Sequence, residues 1–194
     1  LGGVKALIWF WMVACASPLI ADEWRPIFDG KSMAGWSVTP FAGHGDVETG
    51  GGVLTLHQGI LTGVNYTNAT PVVDYEVELE ARRIQGIDFF CGLTFPVRDS
   101  FATLVVGGWG GAVVGISSIN GDDAAHNATT TYKRFENERW YKIRLAVPGD
   151  HLGAWIDDVQ LVNADTPGKT LAPRPRQTLS GNRCATAPAA PPAP

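Results

Sequence analysis

Two carboxylates and a guanidinium stand close together at Glu80, Arg82 and Asp88. Cleaving a glycosidic bond takes a pair of acid/base groups whose surroundings hold their pKa values apart, and this set has the right types. The same three residues also make an ordinary cross-strand ion pair on a surface. Trp109 lies in Gly107-Gly108-Trp109-Gly110-Gly111, where flanking glycines expose an indole whose flat face suits the C–H face of a sugar ring. The alternative is an indole folded back over a sheet edge. Asn120, Asp122, Asp123 and Asn127 form an oxygen-rich stretch. It could hydrogen-bond sugar hydroxyls, or hold a hard cation such as Ca2+ through Asp122 and Asp123. Its spacing matches no complete EF-hand loop, and solvated turns share the composition. His44, Asp46 and Glu48 alternate and so share one face of a short strand, where His44 could serve as a general base or a metal ligand and His44 and Glu48 are candidate substrate contacts. The remaining histidines, His57, His126 and His151, are scattered without zinc spacing.

Strands must position these groups. Residues 135–163 read as three antiparallel strands. Tyr141, Ile143, Leu145 and Val147 alternate with Trp140, Lys142 and Arg144, the pattern of a half-buried strand. A turn at Pro148-Gly149-Asp150-His151 sets Ile143 opposite Ile156, Leu145 opposite Ala154 and Val147 opposite Leu152. Arg144 then lies beside Trp155 and Lys142 beside Asp157, and a one-residue slip would invert every side chain. Asp157-Asp158 makes a two-residue turn that closes Ile156 on Val159 and sets Ala154 opposite Leu161. Residues 74–83 and 88–96 read as a hairpin pairing Ala81 with Phe89, Leu79 with Cys91, Val77 with Leu93 and Tyr75 with Phe95. That register sets Asp88 opposite Arg82 and Phe90 opposite Glu80. Short strands are expected at 24–29, 43–48, 53–57 and 60–62. Strands at 101–106 and 113–118 flank the glycine-rich turn, and 129–134 leads into the meander. With no helical period after residue 22, the spacing predicts an all-β sandwich of two sheets.

The 194 residues suffice for one domain with a sizeable core. The formal net charge is −4, and the basic residues Lys5, Arg174, Arg176 and Arg183 lie near the ends, away from every acid. The body is therefore more acidic still, which argues against nucleic acid or an anionic membrane as partner. Residues 1–21 have the layout of a secretory signal: one lysine, a short apolar run, then small residues. That run is too short for a transmembrane span, so the mature chain is expected without one and exported to the periplasm, cell surface or medium. Cys15 offers a lipidation site as a lesser alternative. Cys91 reads as a buried thiol, with a bridge to Cys184 left open. From residue 170 to 194 the chain turns rich in proline and alanine, has no acid and no strand pattern, and is expected to be disordered.

Several stretches resemble the 3-keto-disaccharide hydrolase domain family, a concanavalin A-like jelly roll common in exported bacterial proteins. They are Ile27-Phe28-Asp29-Gly30-Lys31-Ser32 with Gly35-Trp36, Asp74-Tyr75-Glu76-Val77, Phe135-Glu136-Asn137 through Trp140-Tyr141-Lys142-Ile143, and Trp155-Ile156-Asp157-Asp158. The resemblance spans residues 24–163 and implies a jelly-roll domain over 22–169 acting on 3-keto-glycosides, as a hydrolase or lyase without an obligatory cofactor. A ketone at C3 acidifies the C2 proton, so cleavage proceeds by proton abstraction, elimination and hydration. The implied casting is Glu80 or Asp88 as base, Arg82 at the oxyanion and Trp109 as platform. Two departures stand against it. The family's gly-x-glu-x-gln segment reads Thr103-Leu104-Val105-Val106-Gly107 here, without its acid or amide. The family's last strand is replaced by the proline-rich tail, as in a frame-shifted terminus, which would leave the sandwich lacking that strand and one sheet edge open. A non-catalytic sugar-binding or adhesive module of laminin-G or lectin type is therefore the alternative.

Overall fold

The computed structural model describes residues 24–174 and a two-residue strand at 185–186. In chain order the strands are β1 (Trp36–Val38), β2 (Val47–Gly50), β3 (Val53–Leu56), β4 (Val64–Tyr66), β5 (Tyr75–Ala81) and β6 (Cys91–Val97). They continue as β7 (Ser100–Gly108), β8 (Val113–Ser117), β9 (Thr131–Tyr132), β10 (Tyr141–Val147), β11 (His151–Ile156), β12 (Val159–Asp165) and β13 (Ala185–Thr186). Among the described residues there is no helix, hence none long and apolar enough to cross a membrane. Cys15, Cys184 and the expected signal segment lie outside the described residues, as do 175–184 and 187–194.

Two four-stranded sheets, ordered β12-β11-β10-β5 and β6-β7-β8-β9, pack face to face. Period-two alternation builds this core. Tyr141, Ile143, Leu145 and Val147 of β10 and Leu152, Ala154 and Ile156 of β11 point inward. They meet Cys91, Leu93, Phe95 and Val97 of β6, Ala102, Leu104 and Val106 of β7, and Val114 and Ile116 of β8. Each large side chain buried this way contributes about 1.5–3 kcal/mol. Phe90, Phe135 and Tyr141 close one end of the core with mutual ring contacts of 5.0 to 5.6 Å. Two smaller sheets, β1-β4-β13 and β2-β3, complete the fold. The expected all-β two-sheet sandwich is the observed architecture.

The meander register is as the alternation requires: Ile143 opposes Ile156, Leu145 opposes Ala154 and Arg144 opposes Trp155. Asp157 and Asp158 both have positive φ, 51° and 66°, the signature of the two-residue hairpin turn that matches strand twist. Ala154, however, opposes Val162 and not Leu161, because a β-bulge between Ala154 and Trp155 inserts one residue into β12. Lys142 lies beside Asp157 as expected, its carbonyl accepting the Asp157 N–H at 2.9 Å. Its ammonium pairs with Glu78 at 3.0 Å, while Asp157 accepts the Lys142 backbone N–H and pairs with Arg139.

The expected 74–96 hairpin does not form. β5 pairs with β10, setting Glu80 against Lys142, whereas β6 pairs with β7 in the opposite sheet. Residues 82–90 cross between the sheets. The apolar sides of β5 and β6 still meet, but across the core and not edge to edge; alternation is identical in the two arrangements.

Near the amino-terminal end, strands at 24–29 and 60–62 are absent, the one expected at 43–48 falls at β2, and β4 was not anticipated. Close backbone contacts replace the missing strands: a side chain on Gly45 would collide with the carbonyls of His57 and Gln58. In the Asp29-Gly30-Lys31-Ser32 motif the Asp29 carboxylate accepts hydrogen bonds from the Ser32 hydroxyl and from the amides of Lys31 and Ser32. Trp36 donates its indole N–H to the Ile27 carbonyl at 2.7 Å, locking this turn to β1. The strandless composition after Lys169 does not keep residues 170–174 away from the sandwich. Ala172 exchanges backbone hydrogen bonds with Ser118, and Ser100 donates its hydroxyl to the Leu171 carbonyl at 2.6 Å.

Ile143→Ala should cost about 2–5 kcal/mol in denaturant unfolding, because a fully buried side chain is removed from the core. Glu78→Ala, breaking a half-exposed ion pair, should cost less than about 1 kcal/mol. The Ser32 hydroxyl, followed by the Lys31 and Ser32 amides, lowers the Asp29 pKa from 3.8 to about 2. This turn's contribution to stability is therefore present above pH 3.8 and lost as pH falls towards 2. NMR titration should give that midpoint, and Ser32→Ala should move it back towards 3.8.

Candidate functional site

The outer face of β6-β7-β8 is unusually closed. Thr94, Thr103, Val105, Val113 and Ser117 are all buried there. Two covers lie over it, the loop at 118–130 and the segment at 170–174. Ala124 packs on Val105 and Val113. A side chain on Gly115 would come within 2.9 Å of the Ala124 carbonyl and 3.1 Å of the Thr129 carbonyl, so this loop needs glycine beneath it.

Asn127 organises the loop. Its amide donates to the carbonyls of Ile116 and Asp123, each at 2.8 Å, and its oxygen accepts from the amide and hydroxyl of Thr129. Thr129 Oγ1 in turn accepts the Ile116 N–H. Asn120 ties the second cover down: its side-chain oxygen accepts the Thr170 N–H, and its own N–H reaches the Thr170 carbonyl, both at 2.8 Å.

The second cover delivers Arg174. Its backbone N–H donates to Thr103 Oγ1 at 3.1 Å, on the outer face of β7. Its guanidinium lies 3.9 Å from the Phe89 ring centre and 4.8 Å from that of Trp109, and these two rings touch at 5.4 Å. Nη1 of Arg174 is buried without a hydrogen-bond partner. Burial lowers the guanidinium pKa, opposed by the charges of Asp123 and then Asp88. The turn carrying Trp109 is held by Asp88, whose Oδ1 accepts the N–H groups of Phe89 and Gly110. Trp109 has φ of 46° and remains 37% exposed. At Gly108 a side chain would strike Val105 and Phe89, so the ring seats against bare backbone. Beside this cluster, Asp123 Oδ1 accepts the Ala125 N–H and contacts His126 Nδ1 at 2.7 Å.

Three of the residues singled out from sequence, Asp88, Trp109 and Asp123, thus gather around Arg174. The others do not. Glu80 lies on the outer face of the opposite sheet, and Arg82 pairs with Glu138 at 3.2 Å and covers Trp140 at 5.0 Å, so the Glu80–Arg82–Asp88 set is not assembled. It depended on the hairpin that does not form. His44, Asp46 and Glu48 do share a face, lining an open depression of about 510 Å3 with Val38 and Pro40. There His44 Nδ1 meets the Gly45 carbonyl and Glu48 pairs with His57 at 3.4 Å. Asn120 clamps backbone, and Asp122 is an exposed turn residue. Among the described residues, no group of three or more His, Cys, Asp or Glu side chains is placed to hold a metal ion.

Arg174, Phe89 and His126 were missed. Phe89 was paired inward by the hairpin register, and Arg174 lies in a stretch without pattern. For His126 a signal existed in the three-residue spacing from Asp123.

The fold is a jelly-roll β-sandwich. A solved structure titled "Crh5 transglycosylase in complex with NAG" shares it with a TM-score of 0.52 at 13% identity, over 81% of this chain and 64% of that one. The chain therefore spans just under two thirds of that protein's length. A family model described as the 3-keto-alpha-glucoside-1,2-lyase-like domain matches residues 23–183, and the chain belongs to that family. The match takes in the Arg174 segment. No curated protein matches the chain.

Asn127→Ala should destabilise the domain by roughly 1–3 kcal/mol, since it strands the buried partners of one amide. Hydrogen exchange should show the opening concentrated in residues 118–130.

Proposed function

We propose that this domain is carbohydrate-active and cleaves 3-keto-glycosides at the Phe89–Trp109–Arg174 cluster, in an exported protein. The observation that carries the site is the Arg174 guanidinium, stacked on two rings with Nη1 buried and unpartnered. A buried donor without an acceptor is costly, and a ligand oxygen at that position offsets the cost. Half-exposed Trp109 supplies an aromatic face for the ring C–H groups. Family membership supports the substrate class and the 1,2-elimination.

A second reading, a sugar-binding module without catalysis, has its own observation. The outer-face positions of the Thr103–Gly107 segment are Thr103 and Val105, both buried and neither acidic.

The two separate on incubation with a 3-keto-disaccharide, followed by chromatography of products and NMR of the bound sugar. Turnover is expected, and Trp109→Ala and Arg174→Ala should each lower kcat/KM at least about tenfold, equivalent to ~1.4 kcal/mol. Binding with no turnover would leave the second reading standing.

A further inference from the structure

We infer that His126, oriented by Asp123, is the base that takes the C2 proton of a 3-keto-glycoside, and that Arg174 receives the C3 oxyanion. This role rests on the substrate reading above and adds to it a specific proton acceptor.

The geometry of the pair comes first. Asp123 Oδ1 is fixed by the Ala125 N–H at 2.9 Å and lies 2.7 Å from His126 Nδ1. A carboxylate at Nδ1 takes that N–H and leaves the Nε2 lone pair available. The imidazole is 71% exposed, so Nε2 is open to an incoming substrate. The loop behind it is rigidly placed: Ala124 is buried against Val105 and Val113, and Asn127 bonds back to Ile116 and Asp123.

The same sheet face joins the pair to Arg174. Ala124 covers Val105, and Val105 lies against Gly108, which in turn touches the Phe89 ring. Arg174 stacks on that ring and anchors its backbone on Thr103, two residues along β7 from Val105 on the same face. The carboxylate that holds His126 and the Arg174 guanidinium thus lie over the same covered sheet face, near enough for the charge of Asp123 to act on Arg174. The carboxylates are worse placed for the role. Asp88 Oδ1 already accepts two backbone amides, and Glu80 faces outward from the other sheet.

In the reaction, Nε2 takes the proton from C2 and the C–H electron pair forms C2=C3, with the carbonyl becoming an enolate beside Arg174. The enolate collapses, C3=O reforms, C1=C2 forms and the bond from C1 to the glycosidic oxygen breaks. The imidazolium returns its proton to that oxygen. The products are a 2-hydroxy-3-keto-glycal and a free alcohol, with no oxidant or reductant required.

The test uses the full chain and a 4-nitrophenyl 3-keto-glucoside, with C2-protiated and C2-deuterated forms. Wild type should show a primary isotope effect on kcat. His126→Gln should lower kcat by about 100-fold or more with KM within about twofold. Asp123→Asn should lower kcat about 10–100-fold, again at constant KM, as expected for a positioning residue. Circular dichroism and unfolding midpoints confirm that both variants fold. Wild-type turnover with His126→Gln retaining kcat within about threefold would overturn the role of His126 while leaving the substrate reading intact. Absence of turnover in wild type would overturn both.

Discussion

The β6-β7-β8 sheet is buried on both of its faces. Its inner residues belong to the sandwich core, and on its outer side Val105 and Val113 are interspersed with threonine, serine and glycine that are also buried. Something must lie on that outer side, and the chain uses the 118–130 loop and the 170–174 segment. Loops laid over a sheet carry unpaired backbone groups, which must be satisfied locally. Asn120, Asn127 and Thr129 do this, converting two irregular stretches into fixed ones. The polar residues at the margin of these covers, Asp123, His126 and Arg174, then inherit defined positions.

The opposite sheet solves its exposure differently. Its outer side carries Glu76 against Arg144, Glu78 against Lys142, and Arg144 stacked on Trp155 at 3.9 Å. This is a solvated ladder of matched charges, each pair of small energetic weight. Such a face needs no cover and creates no cleft. The asymmetry between the two sheets is why the candidate site sits on one and not on the other.

Much of this was legible from residue order. The inner faces of β5, β6, β10 and β11, the register of Ile143 with Ile156, and the Asp157-Asp158 turn all follow from local patterns. The bulge that brings Val162 to Ala154 was not legible, because one extra residue in β12 leaves the surrounding pattern intact. The site was partly legible. Trp109 was marked by its glycines and Asp88 and Asp123 by their chemistry, but the partner given to Asp88 was wrong. Arg174 had no periodicity around it, and its place depends on contacts with Thr103, Phe89 and Trp109 that are distant in sequence.

By itself, then, the order of residues determined which side of each main strand is apolar, how neighbouring strands of the meander register, and the family to which the domain belongs. Tertiary structure decided which strands share a sheet and which surface gathers the reactive groups. The physical reason is that a period of two assigns a side chain to a face of its own strand and nothing more. Whether β5 lies next to β6 or across the core from it leaves that period unchanged. Only the competition among long-range pairings, in which β10 takes β5 and β7 takes β6, separates Glu80 from Asp88 and brings Asp88 to Trp109 and Arg174.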